Sequence, residues 1–272
     1  MTPSVHFIGV TRFSAGQSQR LTDSLSVEEP LEISIRYGLS LETKNLSVTM
    51  RTPGHDEELA MGFLLSEGIV TSSEQVIGAV QDDPNRIAVI LHEDTPFDPT
   101  KFERHIYTTS SCGICAKSSI EAVRVESAAL RLPRQEWSIT ASTLHRLPAL
   151  MRERQADFAS TGGLHAAALF TQEGKFLFMR EDVGRHNALD KLIGHALQSN
   201  VCPLRTQILL LSGRASFELI QKAALAGISF VAAVGAPSTL AVQLAVEMKL
   251  VLVGFLRDNR FNVYSEVERV KA

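Results

Sequence analysis

The sequence predicts a mixed α/β protein in two parts, a small β-β-α-β-β roll followed by a sheet layered between helices. Three observations predict it. LEISIRYG and LSVTMRTP alternate apolar with polar positions ahead of one helical stretch, DEELAMGFLLSEGIV, which is the pattern of half-buried strands and a packed helix. Further along, the short and wholly apolar runs TQILLLS, FVAAV and LVLVGFL alternate with amphipathic stretches. That alternation belongs to a parallel or mixed sheet covered on both faces, giving an α/β/α sandwich of three layers. Between the two patterns lie Pro96, Pro99 and a polar, cysteine-bearing segment, where the junction is placed.

Composition narrows the function. The chain has 272 residues, 44% of them hydrophobic and 21% charged, with a formal net charge of -3. This is the make-up of a folded protein that can bury a sizeable core. It carries no polybasic signature for duplex nucleic acid, so an anionic ligand must be met by a local cationic site. Three cysteines are too few for a disulfide framework, and MTPSVHFIGVTRFSAG lacks the plan of a secretory signal. The most apolar segments are too short to span a bilayer. The expectation is a soluble cytoplasmic protein that engages neither membrane nor nucleic acid.

Element by element, residues 1–27 show no sustained period and read as a partly ordered arm. Residues 28–135 hold the roll. Its helix presents Leu59, Phe63 and Leu64 on one face, with Asp56 as N-terminal cap, and strands at 74–79 and 86–92 complete it. Residues 136–272 begin with a helix at 141–154. The strands HAAALFT and KFLFMRE follow, joined by the turn QEG, and then the helix GRHNALDKLIGHALQ. The strands TQILLLS and FVAAV, each followed by a helix, lead to LVLVGFL, read as the last strand. Ligands of such sheets sit at the carboxyl ends of the strands, which here are REDVGRH, SGRAS, GAPST and LRDNR.

The segment SSCGICAKSS sets Cys112 and Cys115 three residues apart. A zinc site needs four ligands and no second knuckle follows, so only a mixed site with His105 or His165 would serve. A thioredoxin-type couple belongs at a strand-to-helix turn, whereas this pair lies between domains. Polar, small neighbours suit a thiol that must meet more than one partner, and Lys117 together with a helix start would raise its thiolate fraction. The alternative is that both are small buried apolar residues, the reading preferred for Cys202.

At the predicted sheet edge, Arg185 and His186 stand at a helix mouth, Arg214 follows one strand, Ser238 and Thr239 another, and Arg257 and Arg260 the last. Each alone is an ordinary loop residue; together they form a groove for an elongated phosphorylated ligand. His165 in TGGLHAAA is either a hydrogen-bonded core histidine or a ligand contact. It is not part of a zinc deaminase, because position 167 is Ala167 where that chemistry requires glutamate, and no P-C-x-x-C follows. The order of strands and helices nevertheless resembles the deaminase architecture without its metal.

SSCGICAKSS, GLHAAALF, REDVGRHNALDKLIG, LSGRASFELIQKAALAGI and VGFLRDNRFNVY, in this order, resemble the FdhD-type formate dehydrogenase accessory sulfurtransferases, across about residues 29–264. The resemblance implies a small N-terminal domain with a cytidine-deaminase-like C-terminal domain, assembled as a homodimer. It implies that sulfane sulfur is taken from a cysteine desulfurase and passed to the bis(molybdopterin guanine dinucleotide) form of the molybdenum cofactor, which formate dehydrogenase needs. Cys112 would carry the persulfide and Cys115 would support it. Phe255, Leu256, Arg257, Asp258, Asn259 and Arg260 would contact the cofactor, and no structural metal is implied. The chain departs from the family pattern at Ala116 and Asn259, where glycines are expected, and at Arg257, where lysine is. A different class of function, a chaperone that binds the cofactor without carrying sulfur, would need the groove and not the thiols.

Overall fold

The computed structural model describes residues 3–102 and 137–272. Cys112 and Cys115 lie outside the described residues. At the N-terminus, β1 (Val5–Ser14) and β2 (Gln17–Ser26) form an antiparallel hairpin where the sequence predicted a partly ordered arm. Ala15 and Gly16 both take positive φ, 49° and 80°, the two-residue turn whose twist matches a hairpin. Periodicity failed here for a physical reason. Alternation records one buried face, and this hairpin is largely open on both.

The roll contains β3 (Glu29–Tyr37), β4 (Glu42–Arg51), α1 (Asp56–Ser66), β5 (Val76–Asp83) and β6 (Arg86–Leu91). Its strand order is β4-β3-β6-β5, with β3 and β6 parallel. Leu31, Ile33 and Ile35 alternate inward onto α1. Leu59 and Leu64 are buried and Phe63 partly so, but α1 is apolar almost all round, because its other side lies against a C-terminal helix. Asp56 does not cap it. His55 holds that place with φ 57°, and the Asp56 carboxylate accepts from Arg51 Nε and Nη2, both at 2.9 Å. A buried guanidinium needs a paired acceptor more than a helix end open to water needs a cap.

The C-terminal sheet has the order β13-β12-β11-β10-β8-β9. Its strands are β8 (His165–Phe170), β9 (Phe176–Asp182), β10 (Ile208–Leu211), β11 (Phe230–Ala233), β12 (Val251–Arg257) and β13 (Arg260–Ser265). On one face α2 (Ala141–Arg152) buries Leu144, Leu147 and Met151. The short α3 (Ala156–Thr161) follows it. On the other face lie α4 (Arg185–Gln198), α5 (Phe217–Leu225) and α6 (Thr239–Glu247), so three layers form as read from the apolar runs. LVLVGFL is not the last strand. Asp258 and Asn259 both turn left-handed, each at φ 53°, and return the chain as β13; the short β14 (Val270–Lys271) then pairs with β7 (Ile139–Thr140). Aspartate and asparagine tolerate that conformation better than other side chains, which is what made LRDNR look like an open loop.

One apolar core runs without a break from the roll into the C-terminal sheet through α1 and α4. The two helices meet at glycines: a Cβ on Gly62 would lie 1.8 Å from the carbonyl oxygen of Asp190, and one on Gly194 1.8 Å from that of Glu58. Polar groups pin the same seam. Arg180 Nε and Nη2 both donate to Glu58. Burial alone would raise the Glu58 carboxyl, but hydrogen bonds from Arg180 and His55 outweigh it and hold the carboxyl at about 2. Deeper in, Lys222 reaches Asp190 at 2.8 Å and Ser66 Oγ donates to Asp190 at 2.7 Å. Among the described residues, no helix is long and apolar enough to cross a membrane.

Candidate ligand-binding edge

β9, β10, β11 and β12 point the same way, since β9 and β10 are each antiparallel to β8 while β10, β11 and β12 are mutually parallel. Their carboxyl ends therefore share one edge, where β8 also begins with His165. The span from β9 to β12 is four strand spacings, about 19 Å. β9, β10 and β11 lead into α4, α5 and α6, whose N-caps are Gly184, Ser216 and Ser238. Three helix N-termini, the ends of a helix that attract anions, thus face one side of the molecule.

A ledge of backbone joins these ends. Phe255 N donates to Gly235 O at 3.0 Å, and Gly235 N to Gly213 O at 2.9 Å. Ser212 Oγ accepts from Ala166 N at 2.8 Å. No side chain fits at Gly235, where a Cβ would sit 2.8 Å from Gly213 O, and one on Gly213 would come within 3.3 Å of His165 Nδ1. Glycines directly after apolar strands were the sequence signal for this ledge.

Four parts of the edge carry chemistry. Burial, with Arg185 and then Arg214 reinforcing it against Asp182, holds the half-buried His165 below the usual histidine range. It is a neutral imidazole at neutral pH, able to donate and to accept. His186 is buried, its Nε2 3.2 Å from Glu218 Oε2 and 3.4 Å from Ser216 Oγ. Arg185 Nε is buried with no hydrogen-bond partner among the described residues. Beside His165 a cavity of about 460 Å³ opens between α2, α3 and the sheet edge, walled by Met151, Phe158 and Val234 and edged by Gln155 and Ser212.

At the far end, Phe255 takes φ 55° inside β12, at a break in register. A bulky side chain in the left-handed region costs on the order of 1–3 kcal/mol, and such strain concentrates at functional sites. The turn beyond it sets Arg257 opposite Arg260, both exposed. Asn259 takes the left-handed conformation, φ 53°, that a glycine adopts without strain. Leu256 is fully buried in the α2-side core, and only its backbone is left for a ligand. Thr239 opens α6, and Ser238 Oγ accepts from Ala241 N at 3.2 Å.

The structure thus brings Arg185, His186, His165, Arg214, Ser238, Thr239 and the 255–260 turn to one edge. The sequence reading missed Ser216, Glu218 and the anchor beneath them. That anchor is Asp182, wholly buried, whose carboxylate meets Lys191 Nζ at 2.7 Å and accepts from Gly184 N at 2.8 Å and Thr52 N at 3.1 Å. Burial pushes this carboxyl upward, and Lys191, Gly184 and Asn187 oppose that. Among the described residues, no three His, Cys, Asp or Glu side chains group as they would around a metal ion.

Cys202 is mostly covered, and burial pushes its thiol up to about 12. It holds almost no thiolate at neutral pH, so the small-apolar reading describes it well. A maleimide at neutral pH should leave Cys202 unmodified in the native protein and label it after unfolding, as read by peptide mass spectrometry. Labelling of native Cys202 at the rate of a free thiol would contradict this.

The FdhD/NarQ family model matches residues 27–271. The sulfur carrier protein FdhD of Mycolicibacterium paratuberculosis is 48% identical over 270 residues, covering 96% of this chain and 97% of that protein. Its counterpart in Streptomyces coelicolor is 47% identical over 270 residues, covering 96% and 94%. The crystal structure of a formate dehydrogenase accessory protein from Desulfotalea psychrophila matches with a TM-score of 0.78 at 21% identity, covering 98% of this chain and all of that one, a likeness of fold. The match runs over both parts of the molecule and includes every segment that builds the edge, and the chain belongs to the FdhD/NarQ family.

Proposed function

We propose that this protein is a sulfur carrier in the maturation of formate dehydrogenase. Cys112 takes sulfane sulfur from a cysteine desulfurase as a persulfide, Cys115 supports that thiol, and the sulfur passes to a bis(molybdopterin guanine dinucleotide) molybdenum cofactor held along the C-terminal edge. The carrier works in the cytoplasm as a pair of identical chains. In the first step the Cys112 thiolate attacks the outer sulfur of the desulfurase persulfide. That S–S bond breaks, a new one forms on Cys112, and the desulfurase thiolate leaves, so no external oxidant or reductant is needed.

The observation that carries the reading is the single edge of about 19 Å with three helix N-termini and arginines at both ends. A ligand with two pyrophosphates needs just such spaced positive ends. Arg185 and Arg214 answer one stretch of charge, Arg257 and Arg260 the other, and Ser238, Thr239 and the amides between them take oxygens. His165, uncharged, and the buried His186 add directed hydrogen bonds, and the cavity beside His165 has the size and apolar walls for a flat ring. The names of the relatives supply the sulfur-carrying part.

Incubated with a cysteine desulfurase and cysteine, the protein is expected to gain the mass of one sulfur on Cys112. Cys112→Ala should lose the adduct and bring co-expressed formate dehydrogenase to background activity. If the double variant Cys112→Ala, Cys115→Ala still activates the enzyme, the protein is a cofactor-binding chaperone and not a carrier.

A further inference from the structure

The β1–β2 hairpin pairs with no other strand of the described residues. Its hydrogen bond to the body is at the base, from Ser26 Oγ to Thr161 Oγ1 at 2.8 Å. Ten residues per strand extend from there with Phe7 68% and Phe13 79% exposed. A two-stranded ribbon of this kind is marginal in water by itself. Free edges are ordinarily blunted by charged side chains, proline or a bulge; β1 has no proline, lysine or bulge over its length, and Arg12 is its one arginine. β2, QSQRLTDSLS, is mostly polar, whereas β1, VHFIGVTRFS, carries five large apolar side chains, Val5, Phe7, Ile8, Val10 and Phe13, among its polar ones.

The register decides which residues the open edge offers. Ser14 and Gln17 close the two-residue turn as a hydrogen-bonded pair, so the even-numbered residues of β1 bond to β2. The odd-numbered ones, among them Phe7 and Phe13, direct their N–H and C=O groups outward. All of them also share one face of the strand.

The geometry points to a second copy of this chain as the occupant: we propose that two hairpins pair antiparallel through β1 across a two-fold axis at Val10. This is the register in which Phe7 of each copy lies opposite Phe13 of the other, twice, as hydrogen-bonded neighbours. Gly9 then faces Thr11, and the two Val10 side chains meet at a non-hydrogen-bonded position, where Cα atoms come closest, about 4.5 Å. Shifting the axis to Gly9 sets Phe7 against Thr11 and loses the aromatic pairs. Aromatic cross-strand pairs are among the stronger stabilisers of a sheet, and a symmetric contact must match itself in this way. The result is a four-stranded ribbon whose outer edges are the mostly polar β2 strands. The inference rests on the two-copy part of the function proposed above and not on its sulfur chemistry.

Sedimentation of the full chain and a cysteine trap test it. The wild type should sediment as a dimer at micromolar concentration, and Phe7→Ser, Phe13→Ser should weaken association by about tenfold or more. Both positions are open to solvent, so the fold should survive, as circular dichroism would report. In a chain with Cys112 and Cys115 replaced by serine, Val10→Cys should close an interchain disulfide under diamide and Thr11→Cys should not. A monomeric wild type overturns the two-copy reading and this inference together. A dimer that ignores the phenylalanine changes, or that closes through Thr11→Cys and not Val10→Cys, overturns the surface alone.

Discussion

Gly194→Ala is expected to destabilise the protein by about 3 kcal/mol or more, although alanine is the better helix former by about 1 kcal/mol. The crossing of α1 and α4 decides the sign. A methyl on Gly194 would lie 1.8 Å from the Glu58 carbonyl oxygen and 2.6 Å from its carbon, and both belong to backbone that is fixed by α1's own hydrogen bonds. No rotamer change relieves such a contact, so the helices must part. Parting them opens space around Leu59, Leu189 and Ile193 and pulls on the Glu58–Arg180 pair. At roughly 2–4 °C per kcal/mol for a chain of this size class, the melting temperature should fall by about 10 °C. Gly62→Ala should behave alike, because its Cβ meets the Asp190 carbonyl from the other side. A thermal melt in which either variant gains stability would show that the helices cross less tightly than described.

Asp182→Ala should cost a further class of stability, about 3–5 kcal/mol, because it leaves the buried Lys191 ammonium without its partner. Lys191 is 1% exposed and its remaining bond is to Thr52 O at 2.8 Å. The loss also reaches the ligand edge. Asp182 holds Gly184 N at the start of α4 and Thr52 N in the roll, so the mouth carrying Arg185 and His186 is fixed through this carboxylate. Chemical denaturation should show a lowered midpoint, and Asp182→Asn, which keeps the shape and donors nearby but removes the charge, should fall between the two. An Asp182→Ala variant with wild-type stability would mean that Lys191 finds water or another acceptor.

Much of the edge was legible because short apolar strands leave little doubt about where they end. Once β9 to β12 are read as strands in one sheet, SGRAS, GAPST and REDVGRH follow at their carboxyl ends, and the charges in them are brought to one side by topology alone. The hairpin after LVLVGFL was not legible, since its two turn residues also fit an open loop. Asp56 reads as a cap until Arg51 is seen beside it, and only the packed roll puts them together. Glu218 and Ser216 looked like ordinary residues of a helix start; His186, thirty positions earlier, gives them their meaning.

What the sequence by itself determined is local and periodic: the strands, the helices, the three-layer stacking, the segments at the sheet edge and, through the motifs, the family. These follow from the spacing of apolar residues along a chain, which is present before any folding. The tertiary structure alone decided what depends on two distant segments meeting. It set α1 against α4 at paired glycines, sank Asp182 and Lys191 between the roll and the sheet, and left the N-terminal hairpin standing with its phenylalanines in water. None of these has a sequence period, because a contact between remote residues is fixed by shape and charge at one point in space and not by any repeat along the chain.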